Sequence, residues 1–141
     1  MELHPELFFF TPLIAAMAGN VGVQSSAIIV QGLANNTIIG PIVERLLKEL
    51  SLSLLNGVIL SVILLAGSYF LLGYEIHVGY TVAIALLSVI IMASLIGTFI
   101  PIILNKYGVD PALATGPFIT TSNDILGILT YFTIAKIILG I

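Results

Sequence analysis

Leu52 to Tyr74 reads LSLLNGVILSVILLAGSYFLLGY, and no charged side chain interrupts it. Crossing a hydrocarbon core takes roughly 20 helical residues, so this stretch is long enough to span one. Working outward, Val78–Leu104, Leu7–Leu33 and Pro111–Leu139 have the same character. Their Ile, Leu and Val are mixed with many Gly, Ala, Ser and Thr. Packed helices suit that mixture, whereas a barrel strand alternates polar and apolar residues over about ten positions. The expected fold is all-α: a polytopic transmembrane helical bundle with four spans, one domain over residues 1–141.

The composition agrees. Of the 141 residues 59% are hydrophobic and 8% charged, with a mean hydropathy of +1.20. Four basic and seven acidic side chains are too few to clothe a water-soluble domain. A net charge of −3 with scattered basic residues excludes nucleic acid, which needs a clustered positive patch. The absence of cysteine excludes disulfides, thiolate nucleophiles and zinc–thiolate sites, so metal binding would fall to oxygen or histidine. There is no paired carboxylate, no nucleophile with a base and no phosphate loop, so the chain does not read as an enzyme. Met1–Phe10 does not read as a signal peptide, because Glu2 and Glu6 stand where basic residues are expected.

Between the first two spans, Asn35–Leu50 carries Pro41, Glu44, Arg45, Lys48 and Glu49, which suits a short amphipathic interfacial segment. The turn around Glu75 and His77 has no Lys or Arg, and Lys106–Asp110 is a tight polar turn before Pro111. Arg45, Lys48 and Lys106 share one side of the hairpin arrangement and assign it to the cytoplasm. Lys136 near the opposite end of the fourth span is a mild contradiction, met by snorkelling. Both termini then face outward, which is awkward without a signal sequence. We therefore expect the chain to be a fragment, or an odd number of spans upstream.

Asp124 is expected to be the one charged residue deep within a span. An unpaired carboxylate there costs several kcal/mol, and no basic residue in the spans is positioned to offset it. A cation, a proton or cavity water is required, unless a protonated Asp124 serves as packing glue. At about 100° per residue Thr120, Asp124 and Tyr131 share a stripe, with Thr121 and Gly127 beside it. Gly116 and Pro117 either break the helix and free backbone groups near the site, or mark an ordinary kink. In the first span Asn20, Gln24, Ala27 and Gln31 fall within about 40° of one direction. Gly19, Gly22, Ser25 and Ser26 keep the adjoining surface small, which equally suits close helix packing. Neutral amides with one carboxylate suit a hard, hydrated cation such as Mg²⁺, which keeps several waters. His4 and His77 stand at span ends and read as interface markers rather than ligands.

At these residues the chain resembles a known family. Gly19-Asn20-Val21-Gly22-Val23-Gln24-Ser25-Ser26 is similar to the glycine-asparagine-glycine-glutamine-serine motif of the MgtE magnesium channel and transporter family. Gln31-Gly32-Leu33-Ala34 is similar to the arginine-glycine-leucine-alanine that follows it. Asp110-Pro111-Ala112-Leu113-Ala114-Thr115-Gly116-Pro117, continuing through Thr120, Thr121, Asp124, Gly127 and Tyr131, resembles the family's final membrane helix.

The resemblance covers essentially the whole chain and corresponds to the last four of the family's five membrane helices. It implies a multi-pass cell-membrane protein, a homodimer whose pore follows the subunit interface and is lined by the first and fourth spans here. It further implies that Asp124 of each subunit binds hydrated Mg²⁺, with Mn²⁺ or Co²⁺ as other candidate ions. Asn20, Gln24, Gln31, Thr120, Thr121, Asn123 and Gly127 are the expected pore-lining residues, and Gly19, Gly22, Ser25, Gly116 and Pro117 the motif residues. An upstream helix or partner subunit is expected to cover the face that the family's first helix would occupy. No soluble regulatory domain is expected within the chain, so magnesium-sensed gating is not assigned to it. Gln31 stands where arginine is common, and Ser122 and Asn123 are more polar than the family's usual apolar pair. Two other readings stay open: a proton-coupled small exporter built on Asp124, and a non-transporting assembly subunit in which Asp124 pairs with a partner's basic helix.

Overall fold

A computed structural model describes residues 4–140, so Glu2 lies outside the described residues. The chain forms helices α1 (Glu6–Ala34), α2 (Ile42–Phe70), α3 (Ile76–Lys106) and α4 (Pro117–Leu139). A short 3₁₀ turn, Pro111–Ala114, precedes α4. Four segments, the last being this turn together with α4, are long and apolar enough to cross a membrane.

One expectation needs correction. The second half of the segment read as interfacial, residues 42–50, forms the first turns of α2, which runs without interruption from Ile42 to Phe70 rather than from Leu52 to Tyr74. Pro41 starts the helix, and Val43–Leu50 offers mainly good helix formers with no breaker. At the other end Gly73, at φ +70°, turns the chain back, and Tyr74 N–H reaches Ser68 O at 3.1 Å. Glu49 is therefore a residue of a long helix and not of a loop.

α3 is the hub, packing on α1, α2, α4 and the 3₁₀ turn. Its Val78, Val82, Ala85, Leu86, Val89, Ile90 and Ala93 meet Leu7, Phe10, Ile14 and Ala18 of α1 and Tyr131 and Ala135 of α4 in one buried cluster. The backbone of α2 comes close to that of α3 and of no other helix among the described residues. Gly57 and Gly79 permit that approach: a side chain added at Gly57 would meet Leu87, and one at Gly79 would meet Ser68 and Leu65.

Hydroxyls tie the elements together. Ser26 Oγ donates to Ala114 O at 2.6 Å, fastening the 3₁₀ turn to α1. Tyr131, fully buried, donates its hydroxyl to Leu7 O at 2.8 Å, so it pins α4 to the start of α1 rather than facing an open surface. Replacing Tyr131 with Phe removes one buried hydrogen bond, worth about 1 kcal/mol net. The expected outcome is a loss of that size in unfolding free energy, measured by SDS titration of the reconstituted protein. An unchanged curve would show that the bond contributes nothing.

Candidate functional site

α4 reaches its register through a built break. Asp110 Oδ1 accepts from Ala112 N–H at 2.9 Å and opens the 3₁₀ turn, and Thr115 follows in an extended conformation. Gly116 then sits at φ +64°, ψ −136°, a backbone shape that a side chain resists, and Pro117 begins α4. The expected interruption at Gly116 and Pro117 is thus a change of helix type. Thr120 Oγ1 donates to Gly116 O at 3.0 Å, which leaves the hydroxyl's acceptor lone pairs free.

Asp124 lies two turns further on, half-buried at the seam between α4 and α1. A Cβ added at Gly19 would come within 2.6 Å of Asp124 Oδ1 and 3.2 Å of Thr120 Cγ2. Gly19 therefore lets the α1 backbone lie directly against the carboxylate. None of the ion pairs among the described residues includes Asp124, and no group of three or more His, Cys, Asp or Glu could hold a metal there. Both histidines pair with neighbouring carboxylates, His4 with Glu6 at 3.0 Å and His77 with Glu75 at 2.7 Å.

The expected lining residues fall into two groups. Asn20, Gln24 and Gln31 are exposed along one side of α1, as is Thr121 on α4, while Thr120 is half-buried. Thr121 stands one turn before Asp124, whereas Asn20, Gln24 and Gln31 lie about 100–140° round α1 from Gly19, and Gln24 lines the space between α1 and α2. Asn123 and Gly127 instead turn into the packing. Gly127 is buried against Ala18 and Val89. Asn123 is fully buried beside Gly22, and neither polar atom of its amide has a partner. Ser25 is buried between α1 and α3, where its hydroxyl donates to Ser94 Oγ at 3.3 Å.

Glu49, expected in an interfacial segment, is instead a buried side chain of α2. It is 7% exposed and lies inside the bundle, so Asp124 is not the one carboxylate there. Its Oε1 faces Arg45 Nη2 at 3.4 Å, and its Oε2 accepts from Ser94 at 3.4 Å. Extending α2 back to Ile42 reveals the signal, since Glu49, Ser53 and Asn56 follow one another at helical spacing.

The model of the MgtE family, described as divalent cation transporters, matches residues 11–134. The chain is 42% identical over 130 residues to the magnesium transporter MgtE of Bacillus subtilis, covering 92% of this chain and 29% of that protein. It is 33% identical over 140 residues to that of Thermus thermophilus, covering 99% of this chain and 31% of the relative. With the Enterococcus faecalis transporter the identity is 37% over 133 residues, covering 92% and 29%. The chain thus spans less than a third of the length of these relatives.

The seam makes a paired prediction. Gly22→Ala sets a methyl against the buried Asn123 amide and should destabilise by about 1–3 kcal/mol, as overpacking does. Gly67, with nothing within 4 Å of an added Cβ, should accept Ala with no loss. Thermal unfolding of the two solubilised variants checks the contrast, and equal midpoints would contradict the packing described.

Proposed function

This chain belongs to the MgtE family of divalent cation transporters, and from that premise we propose that it forms a pore for hydrated Mg²⁺ along a homodimer interface lined by α1 and α4. The family consists of transporters, not enzymes, and the four spans make the chain a multi-pass membrane protein. The cell membrane is the proposed location. Mg²⁺ is favoured because the curated relatives are magnesium transporters; Mn²⁺ and Co²⁺ are further candidate ions.

One observation carries the reading: a half-buried carboxylate without an ion-pair partner stands at the α1–α4 seam, one turn from the exposed hydroxyl of Thr121. Lipid is a poor neighbour for Asn20, Gln24, Gln31 and Thr121. A second copy meeting this one across the same face would cover those groups and bring the two Asp124 side chains to a shared axis. In that arrangement Asp124 supplies the charge that attracts the ion, and Asn20, Thr120 and Thr121 hydrogen-bond its retained waters. Selection then rests on the fit of the hydrated ion, since Mg²⁺ gives up its water reluctantly. An inward-negative potential of 100 mV contributes about 4.6 kcal/mol per divalent ion, at roughly 2.3 per unit charge, so no ATP is required. An upstream helix or a partner subunit completes the lipid-facing side.

The test is Mg²⁺ uptake into proteoliposomes under an imposed inward-negative potential. Asp124→Asn keeps the size and removes the charge, and uptake should fall by roughly tenfold or more with the fold intact. Equal uptake by both proteins would sink the assignment of Asp124. The dimer has its own check, because the chain lacks cysteine. Thr121→Cys and Asn20→Cys should cross-link between copies in native membranes under oxidation. If neither gives a dimer band, the α1–α4 interface is wrong.

A further inference from the structure

Because α2 approaches α3 but not α1, a cavity of about 370 Å³ opens between them. Its polar lining comes from Gln24 and Ser25 of α1, Glu49, Ser53 and Asn56 of α2, and Ser94 of α3. Glu49 is the one ionisable side chain among the lining residues. Arg45, its ion-pair partner, opens instead onto a separate cavity beside Thr37 and Lys48. The two carboxylate oxygens face different ways, Oε1 to Arg45 and Oε2 to Ser94 on the cavity side.

A carboxylate offers about four lone-pair positions, and hydrogen bonds prefer lengths near 2.9 Å. Both contacts of Glu49 are 3.4 Å, so accepting capacity remains on the cavity side. Three further lining residues, Ser25, Ser53 and Ser94, are buried hydroxyls, and Gln24 and Asn56 present exposed amides. The serine hydroxyls already donate within the protein, to Ser94, Glu49 Oε2 and the Glu49 carbonyl, whereas the Gln24 and Asn56 amides have no partner there and call for water or an ion in the space. At about 30 Å³ per water, 370 Å³ has room for a cation with its inner hydration shell. One carboxylate with neutral oxygens and retained water is the ligand set of a hard divalent ion.

We infer that this cavity is a second divalent-cation site, contained within one subunit and separate from Asp124. Glu49 supplies the charge, and Ser94, Gln24 and Asn56 face the ion or its waters. Arg45 offsets part of the carboxylate's charge, so the affinity is expected to be weak, on the order of 0.1–1 mM. An ion there links α2 to α1, which otherwise have no close backbone contact. The inference stands apart from the pore reading, because neither α4 nor Asp124 contributes to the cavity.

The test counts Mn²⁺ bound to the purified full chain by electron paramagnetic resonance, with Mg²⁺ as competitor. Asp124→Asn protein should still bind Mn²⁺ competitively, and adding Glu49→Gln should abolish that remainder. Adding Ser94→Ala instead keeps the charge and the Arg45 pair, and should weaken the remainder about fivefold. It serves as the deciding variant if Glu49→Gln does not fold. Asp124→Asn protein that binds no Mn²⁺, or a remainder unaffected by Ser94→Ala and by a folded Glu49→Gln variant, overturns the inference. If Asp124→Asn changes neither uptake nor total binding, the pore reading fails while this site stands.

Discussion

Gly22 is held between two helices, with Gly97 of α3 against its carbonyl and Asn123 of α4 against its α-carbon. Lipid tails are as apolar as leucine, so helices in a membrane gain little from apolar burial against one another and depend on close van der Waals contact. That contact requires backbones to come near: a side chain at Gly97 would hold α3 off α1, and one at Gly22 would hold α4 off α1. Gly19, three residues earlier on α1, uses the same freedom to lie against Asp124. The position of the carboxylate and the closure of the bundle thus follow from one line of small residues.

The polar side chains divide by what they satisfy. Thr11, Ser51, Thr81, Ser88 and Thr133 each donate to the carbonyl four residues back and ask nothing of a neighbouring helix. Ser26, Tyr131 and Ser25 bond across elements and fix how α1 sits on the 3₁₀ turn, α4 and α3. Asn123 does neither; a buried amide left unpaired costs about 1–3 kcal/mol, and nothing in the packing recovers it.

Much of this was legible in the residues. Long uncharged stretches announced the spans, and the rarity of a carboxylate in such a stretch singled out Asp124. The start of α2 was misread because Glu44, Arg45, Lys48 and Glu49 look like an interfacial segment, although no breaker separates them from Leu52. Glu49 was lost with that boundary, since its burial depends on α3 supplying Ser94, a partner 45 positions away in the chain. Asn123 and Gly127 flank the Asp124 stripe, and periodicity alone could not say which flank α1 and α3 would cover. The 3₁₀ turn likewise depends on a local event, the Asp110 carboxylate accepting from Ala112, that no hydrophobic pattern records.

Among the described residues the backbone of α2 lies close to that of α3 and of no other helix, which gives the bundle two unequal parts. α1, α3 and α4 contact one another pairwise and form a closed, braced triangle, whereas α2 is an outrigger carried on one edge. The space between α1 and α2 is accordingly set by one helix pair, and the geometry around Asp124 by another three.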